Sequence, residues 1–214
     1  MKIRLTALIG ILSWAVVTGC AGKGEVITVD IPSKPGSAVA LKPQSEGLRV
    51  AVEPFEDSRP QKSRLGVRSH LWGGESYFDV TSHSSSEAAT QALVQFLNSK
   101  GKGWSAYVVR PGQNPQVADL TISGHILALS VDAKSGVGST KLMTASKIVI
   151  RALNQADGSL VRMTLNGTGS DSVFWFASED AQQLANDVLN DSFDRLLQSS
   201  KIEGKVLRLR DHAE

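Results

Sequence analysis

The sequence is poor in the residues from which catalytic and metal sites are built. Its 214 residues contain one cysteine, Cys20, and four histidines. With no second cysteine, a disulfide within the chain is excluded. His70, His83, His125 and His212 stand singly, and none forms H-x-x-x-H or a metal-spaced pair with an acid. His125 falls on an alternating stretch, where a structural histidine satisfied by a neighbour is the expectation. There is no G-x-S-x-G and no S-x-x-K to set a nucleophile beside a base. Gly167-Thr168-Gly169 lacks the third glycine and the strand-to-helix setting of a dinucleotide loop. The sequence therefore predicts no catalytic residue, no metal ligand and no cofactor, and the chain is read as non-enzymatic.

Charge of one sign is missing as well. There are 23 basic and 21 acidic residues, and two of the bases, Lys2 and Arg4, precede residue 20 together with no acid, so the rest of the chain balances at 21 of each. Without a basic run, nothing favours nucleic acid as a partner. No apolar run reaches the ~20 residues of a membrane-spanning helix. The longest, Leu5 to Val17, is a different signal.

Lys2 and Arg4, the apolar run, and then Thr18-Gly19 form the order of a secretory signal peptide, which predicts that residues 1–19 are removed. Val17-Thr18-Gly19-Cys20 resembles the lipobox of bacterial lipoproteins, with Val in place of the commoner Leu. That resemblance implies that the Cys20 thiol carries diacylglycerol and becomes the new N-terminus. One acyl chain holds a protein marginally, whereas two or three, at ~0.8 kcal/mol per buried CH₂, anchor it stably. The residue after the cysteine is Ala21, not the aspartate that resembles an inner-membrane retention signal. The expected location is the periplasmic face of the outer membrane, the inner membrane being the lesser alternative.

Residues 20–47 read as a lipidated flexible tether. Pro32, Pro35, Pro43, Gly22, Gly24, Gly36 and Gly47 break it, except for a short edge strand at Val26 to Ile31, where Ile27, Val29 and Ile31 alternate with polar neighbours. As a free coil its 27 residues before Leu48 would span about 30 Å. Residues 48–203 make one α+β domain and residues 204–214 a C-terminal tail. The domain opens with an alternating strand, Leu48 to Val52. Ser84-Ser85-Ser86-Glu87 is a capping box, and Ala89, Ala92, Leu93, Phe96 and Leu97 then form one apolar stripe. A second helix starts near Ser178, with Ala181, Leu184, Ala185, Val188, Leu189, Phe193, Leu196 and Leu197 as its stripe. Between them the period is two: Trp104 to Arg110, then Leu120 to Val131, Lys141 to Leu153 and Leu160 to Thr168, the last three joined at Ser135-Gly136-Val137-Gly138 and Asp157-Gly158. Parity switches between Ile122 and Leu127, which predicts a β-bulge at Gly124. The order predicts a two-layer sandwich: strand, helix and parallel strand, an antiparallel three-strand meander, and a final helix, both helices on one face of a mixed sheet.

Glu56 to His83 is polar, turn-rich and predicted irregular, the kind of long loop that often carries function. It holds Trp72, Tyr77 and Phe78 beside Gly73-Gly74, and Asp57 and Arg59 near its start. These five are the candidate partner-binding residues, since aromatic and arginine side chains anchor interfaces. A second aromatic run, Phe174-Trp175-Phe176, is assigned to the core.

Val52-Glu53-Pro54-Phe55-Glu56-Asp57-Ser58-Arg59, followed by Leu65-Gly66-Val67-Arg68, Lys100-Gly101 and Ala118-Asp119-Leu120-Thr121-Ile122-Ser123-Gly124, resembles the YajG-type family of bacterial lipoproteins over roughly Arg49 to Leu197. The resemblance implies a lipid anchor and an envelope location, and brings no catalytic residues with it. The order of elements is also similar to other envelope lipoproteins with a small α+β domain that serve as tethered partners of larger machines, an analogy of fold only. Two readings follow: a non-catalytic accessory that binds another envelope protein through the Glu56 to His83 segment, or a binder of a small ligand or lipid between helices and sheet, which needs a pocket of ~300 Å³ or more.

Only the Cys20 thiol can accept the lipid. Cys20→Ser should give a soluble chain or an unprocessed precursor on fractionation, and a mutant both processed and held in the membrane would refute the anchor.

Overall fold

A computed structural model describes residues 24–31, 47–81, 84–100, 103–109 and 118–210; Cys20, His83 and His212 lie outside them. In chain order the strands before the first helix are β1 (Glu25–Val29), β2 (Leu48–Val52), β3 (Glu56–Asp57), β4 (Gly66–Ser69) and β5 (Glu75–Val80). Helix α1 (Ser85–Lys100) leads to β6 (Trp104–Val108), β7 (Leu120–Ser135), β8 (Thr140–Asn154) and β9 (Leu160–Val173). Helix α2 (Ser178–Gln198) precedes a terminal hairpin, β10 (Ser200–Glu203) and β11 (Val206–Leu209). The class is α+β, a mixed open sheet with two helices.

The organising element is β7, 16 residues long and so about 50 Å from end to end. One edge pairs antiparallel with β8 along its whole length, and β8 pairs antiparallel with β9. The other edge receives three strands in succession, all parallel: β2 at Leu120 to Ile122, β3 at His125 and Ile126, and β4 at Ala133 and Lys134. Beyond β2 lies β6, parallel to it, the direction that a helical crossover such as α1 imposes. Beyond β4 lies β5, antiparallel to it, and then β1, parallel to β5.

Leu120, Ile122 and Ile126 are buried, as are Leu129, Val131 and Ala133, so the core-facing parity changes from even to odd along β7. The shift sits between Ile126 and Ala128, where the ladder with β8 skips a residue. The bulged residue is Leu127, 38% exposed, three positions beyond the Gly124 that the sequence predicted. Gly124 is small for another reason. A Cβ there would come within 2.8 Å of the Phe55 ring, which is buried over it.

Both predicted helical stripes face the core, with Leu184 and Leu197 of the second half-buried. Ala88, Ala89, Ala92, Leu93, Phe96 and Leu97 of α1 enter the core with Ala181, Ala185, Val188, Leu189, Phe193 and Leu196 of α2, and the helices meet where Phe96 and Phe193 lie 5.7 Å apart. The Glu87 amide donates to Ser84 Oγ at 3.1 Å, the cap that the sequence predicted. Helix α2 rests on β8 and β9 through small residues: Ser192 Oγ lies 2.7 Å from Ser146 Oγ of β8, and a Cβ on Gly167 of β9 would collide with Ser192 and with the Val188 carbonyl.

Two boundaries differ from expectation. The domain, expected to begin at residue 48, already takes in Gly24 to Ile31, where the expected edge strand is present. The Gly24 amide donates to the Glu75 carbonyl at 2.9 Å, β1 adds to β5, and Val29 and Ile31 are fully buried. The strand is held at its far end too, since the Asp30 amide donates to Gln182 Oε1 and Asn186 Nδ2 to the Asp30 carbonyl. The tail predicted from residue 204 is instead half of a hairpin, with Gly204 and Lys205 both at positive φ as a two-residue type I′ turn requires. Buried Asn154 holds it: the Leu207 amide donates to Asn154 Oδ1 at 2.7 Å, and Asn154 Nδ2 to the Leu207 carbonyl at 3.1 Å.

Ser84→Ala should cost ~1 kcal/mol, within the range for lost N-caps, read as a lower denaturation midpoint. Gly167→Ala should cost about 1–3 kcal/mol by overpacking the helix against the sheet. Unchanged midpoints would show that α1 starts elsewhere and that α2 does not sit on β9.

Candidate functional site

The stretch from Glu56 to Val80, predicted irregular, holds three short strands, β3, β4 and β5, and one buried side chain helps to fasten it to the sheet. Arg59, 4% exposed, grips Asp57 in a two-pronged ion pair, Nε to Oδ1 at 2.9 Å and Nη2 to Oδ2 at 2.8 Å. It also donates to the Leu129 carbonyl at 2.9 Å and to Ser85 Oγ at 2.8 Å. Leu129 lies on the edge of β7 between the places where β3 and β4 pair, so the guanidinium satisfies a carbonyl that no strand covers. Longer bonds to the Lys62 and Arg64 carbonyls draw the 60–65 segment inward. Arginine suits this position because its rigid fork of donors serves a carboxylate and carbonyls together. Asp57 and Arg59, predicted to meet a partner, are thus a structural clasp.

Burial alone would raise the Asp57 carboxyl, but hydrogen bonds from the Arg59 side chain and backbone, with its charge, outweigh that and hold it below the usual range. Asp119 behaves likewise: burial opposes, while the Arg49 side chain and amide and the nearby Lys205 win. Its carboxylate takes the Arg49 amide at 2.9 Å, and the Asp119 amide returns a bond to the Arg49 carbonyl at 2.9 Å. The Ala-Asp step at 118–119 therefore fixes the start of β2 against β7.

The aromatic candidates part company. Phe78 is fully buried and packs on Phe176 at 6.0 Å, while the Arg68 guanidinium caps the other ring at 3.9 Å. Burial lowers the Arg68 pKa from its ordinary value, against the opposing effect of Glu25. Tyr77 is half-buried with the Arg64 guanidinium 4.4 Å above its ring, an arrangement worth ~0.5–1 kcal/mol at an exposed site. Trp72 is 90% exposed, on a turn that Gly73 and Gly74 close at φ +85° and +93°. Of the second run, assigned to the core, only Phe176 packs there; Phe174 and Trp175 are 70% and 81% exposed, edge to face at 5.1 Å. The run stands just before α2, where its first two rings lie beyond the last pairs of β9. His125 pairs with exposed Glu56 at 3.3 Å, and His70 Nε2 lies 2.7 Å from Ser76 Oγ.

The 60–65 segment, held by Arg59, separates two grooves. One, of about 400 Å³, runs between it and the β7 edge and is lined by Arg64, Leu65, Val67, Leu127 and Asp132. The other, of about 380 Å³, lies between Gln61, Ser63 and Arg64 on one side and Tyr77, Asp79 and Val26 on the other. Arg64, which sequence reasoning passed over, lines both. The space between helices and sheet, where the alternative small-ligand reading would need its pocket, is occupied by Phe78, Phe96, Phe193, Leu142, Ile148 and Ile150.

No known protein family matches the chain, and no characterised protein matches its sequence. Solved structures align with it to different extents. An uncharacterised protein aligns with TM-score 0.50 at 10% identity, over 82% of this chain and 98% of its own. A Xanthomonas campestris protein of the DUF330 family aligns with TM-score 0.47 at 11% identity, over 80% and 92%. Lipoprotein GNA1162 from Neisseria meningitidis aligns with TM-score 0.35 at 11% identity, over 67% and 96%. At 10% identity the first likeness, at TM-score 0.50, is one of fold alone.

Because Asp57 and Asp119 titrate below their unfolded values, the stability they confer is complete above about pH 4 and is lost as pH falls through the lower folded values. Asp57→Asn should flatten that acid limb. Asp57→Ala, which strands a buried guanidinium, should cost about 3–5 kcal/mol. A thermal midpoint within error of the parent would show that the clasp is not needed.

Proposed function

We propose that the chain is a lipid-anchored protein of the bacterial envelope, held through Cys20, and that it serves as a non-catalytic accessory which binds another envelope protein. The anchor reading rests on Val17-Thr18-Gly19-Cys20 behind an apolar leader. The YajG-type resemblance belongs to the same reading, as does the outer membrane over the inner. The absence of catalysis rests on the sequence, where no nucleophile stands in a motif with a base.

The observation that carries the binding role is the 60–65 ridge. Arg59 bonds its Lys62 and Arg64 carbonyls from beneath at 3.5 and 3.4 Å, and Arg64 is stacked on Tyr77 between two grooves. A surface already ordered before contact loses little entropy on association, and arginine and tyrosine are residues on which binding energy concentrates. The small-ligand alternative has less behind it. Both grooves lie at the surface between the 60–65 segment and the sheet, whereas the interior is packed.

A photo-reactive residue at position 77, in intact cells, should give one protein adduct of discrete mass that Arg64→Ala diminishes at least tenfold, about 1.4 kcal/mol, while the same group at Arg162 on β9 gives none. Adducts of equal yield at both positions, or none at position 77, would count against this surface.

A further inference from the structure

The turns and strand ends at one end of the sheet carry its most exposed apolar side chains. The register places them together. Ser69, the last residue of β4, is opposite Glu75 of β5 and beside Lys134 of β7; Ser135 pairs with Thr140, and Thr140 with Val173. The segments that follow these residues are therefore neighbours at the same end: His70 to Gly74, Gly136 to Ser139, and Phe174-Trp175. They present Leu71 at 42%, Trp72 at 90%, Val137 at 90%, Phe174 at 70% and Trp175 at 81% exposure. Scattered apolar residues on a surface need no explanation, but a group of this size on adjacent projections does. Two of the five are tryptophan, the residue enriched where bilayer meets water.

The chain enters the fold at this same end. Gly24, bonded to the Glu75 carbonyl, is the first described residue, and Cys20 is four residues before it. Four residues reach at most about 14 Å. A lipid on Cys20 thus holds this end of the sheet, not the Asp157-Gly158 end, against the bilayer.

We infer that this end is a membrane-seating surface, in which Trp72, Val137, Phe174 and Trp175 enter the boundary between headgroups and acyl chains of the bilayer that holds the anchor. The inference takes its orientation from the reading of Cys20 given above. The occupant is a bilayer and not a protein pocket because these side chains project from separate turns and strand ends, and because the anchor puts lipid within reach of them. Charge does not drive the contact. Exposed Lys134 and Lys141 share this end with Glu25, Glu75, Asp171 and Glu179, so seating depends on apolar burial and is insensitive to salt.

The mature chain carries three tryptophans, of which Trp104, on β6 and 8% exposed, is an internal reference. The full chain, expressed with its own leader in a bacterial host and purified, is returned to phosphatidylcholine vesicles with brominated acyl chains, and mass spectrometry of the same sample reports the lipid on Cys20. Lipid on Cys20 with quenching that is partly lost in Trp72→Phe and in Trp175→Phe, and wholly lost in the double variant, is the expected result. Lipid on Cys20 without quenching overturns the seating surface and leaves the anchor standing. Quenching of both residues in a chain without lipid supports the surface and removes the anchor. Shielding of both tryptophans in vesicle-free buffer with a doubled mass assigns this end to a second copy and overturns the inference.

Discussion

Everything in this molecule is placed by one strand that keeps its hydrogen bonds on both edges. An unpaired backbone amide or carbonyl away from water is costly, and β7 has about 50 Å of them to satisfy. On one side β8 does so alone. On the other, three short strands and the Arg59 guanidinium divide the edge between them. That division explains why Val52 to Arg68 looks irregular in sequence: the chain visits the edge of β7 three times in a short span, filling the gap with a side chain where it leaves no strand. The Leu127 bulge belongs to the same constraint, since it lets the buried parity change midway so that the strand serves the α1 region at its start and the Phe78 region at its end.

Much of this was legible from periodicity. The meander, its two hairpin turns, the buried faces of both helices and the Ser84 cap all follow from local rules, because neighbours in sequence decide them. The edge strand at Val26 to Ile31 was visible as an alternation too, though its distant partner, β5, was not. The loss of phase in β7 was plain, but periodicity locates a bulge only to within the polar residues between its phases, and Gly124 drew attention for a feature that belongs to Phe55. What sequence could not supply were the long-range meetings: Arg59 with Leu129, Arg64 with Tyr77, Asn154 with Leu207.

The candidate site shows the same division. Trp72 stands exposed on a turn closed by two glycines at positive φ, an exposure that its sequence neighbours left open between core and surface. Tyr77 and Phe78, adjacent in sequence, were grouped with it, but strand alternation sends one to the surface and the other to the core. Phe174 and Trp175 were assigned inward with Phe176 on hydrophobicity alone; β9 ends at Val173, and the rings that follow lie outside the ladder. Asp57 and Arg59 sit in an acidic and basic pair that sequence cannot assign to interface or interior, and burial decides for the interior.

On the proposed anchor and seating surface, the short approach to β1 and the exposed rings put the domain directly on its membrane, with β7 leading away from it and the Arg64 ridge at its side. The length of chain between Cys20 and the first strand is the quantity on which that arrangement turns. Neutron reflectometry of the full chain on a supported bilayer measures the gap that this length sets. The account predicts protein density that begins within the headgroup layer with no water gap. A hydrated gap of about 30 Å, the span of a free coil running from Cys20 to Leu48, would contradict it.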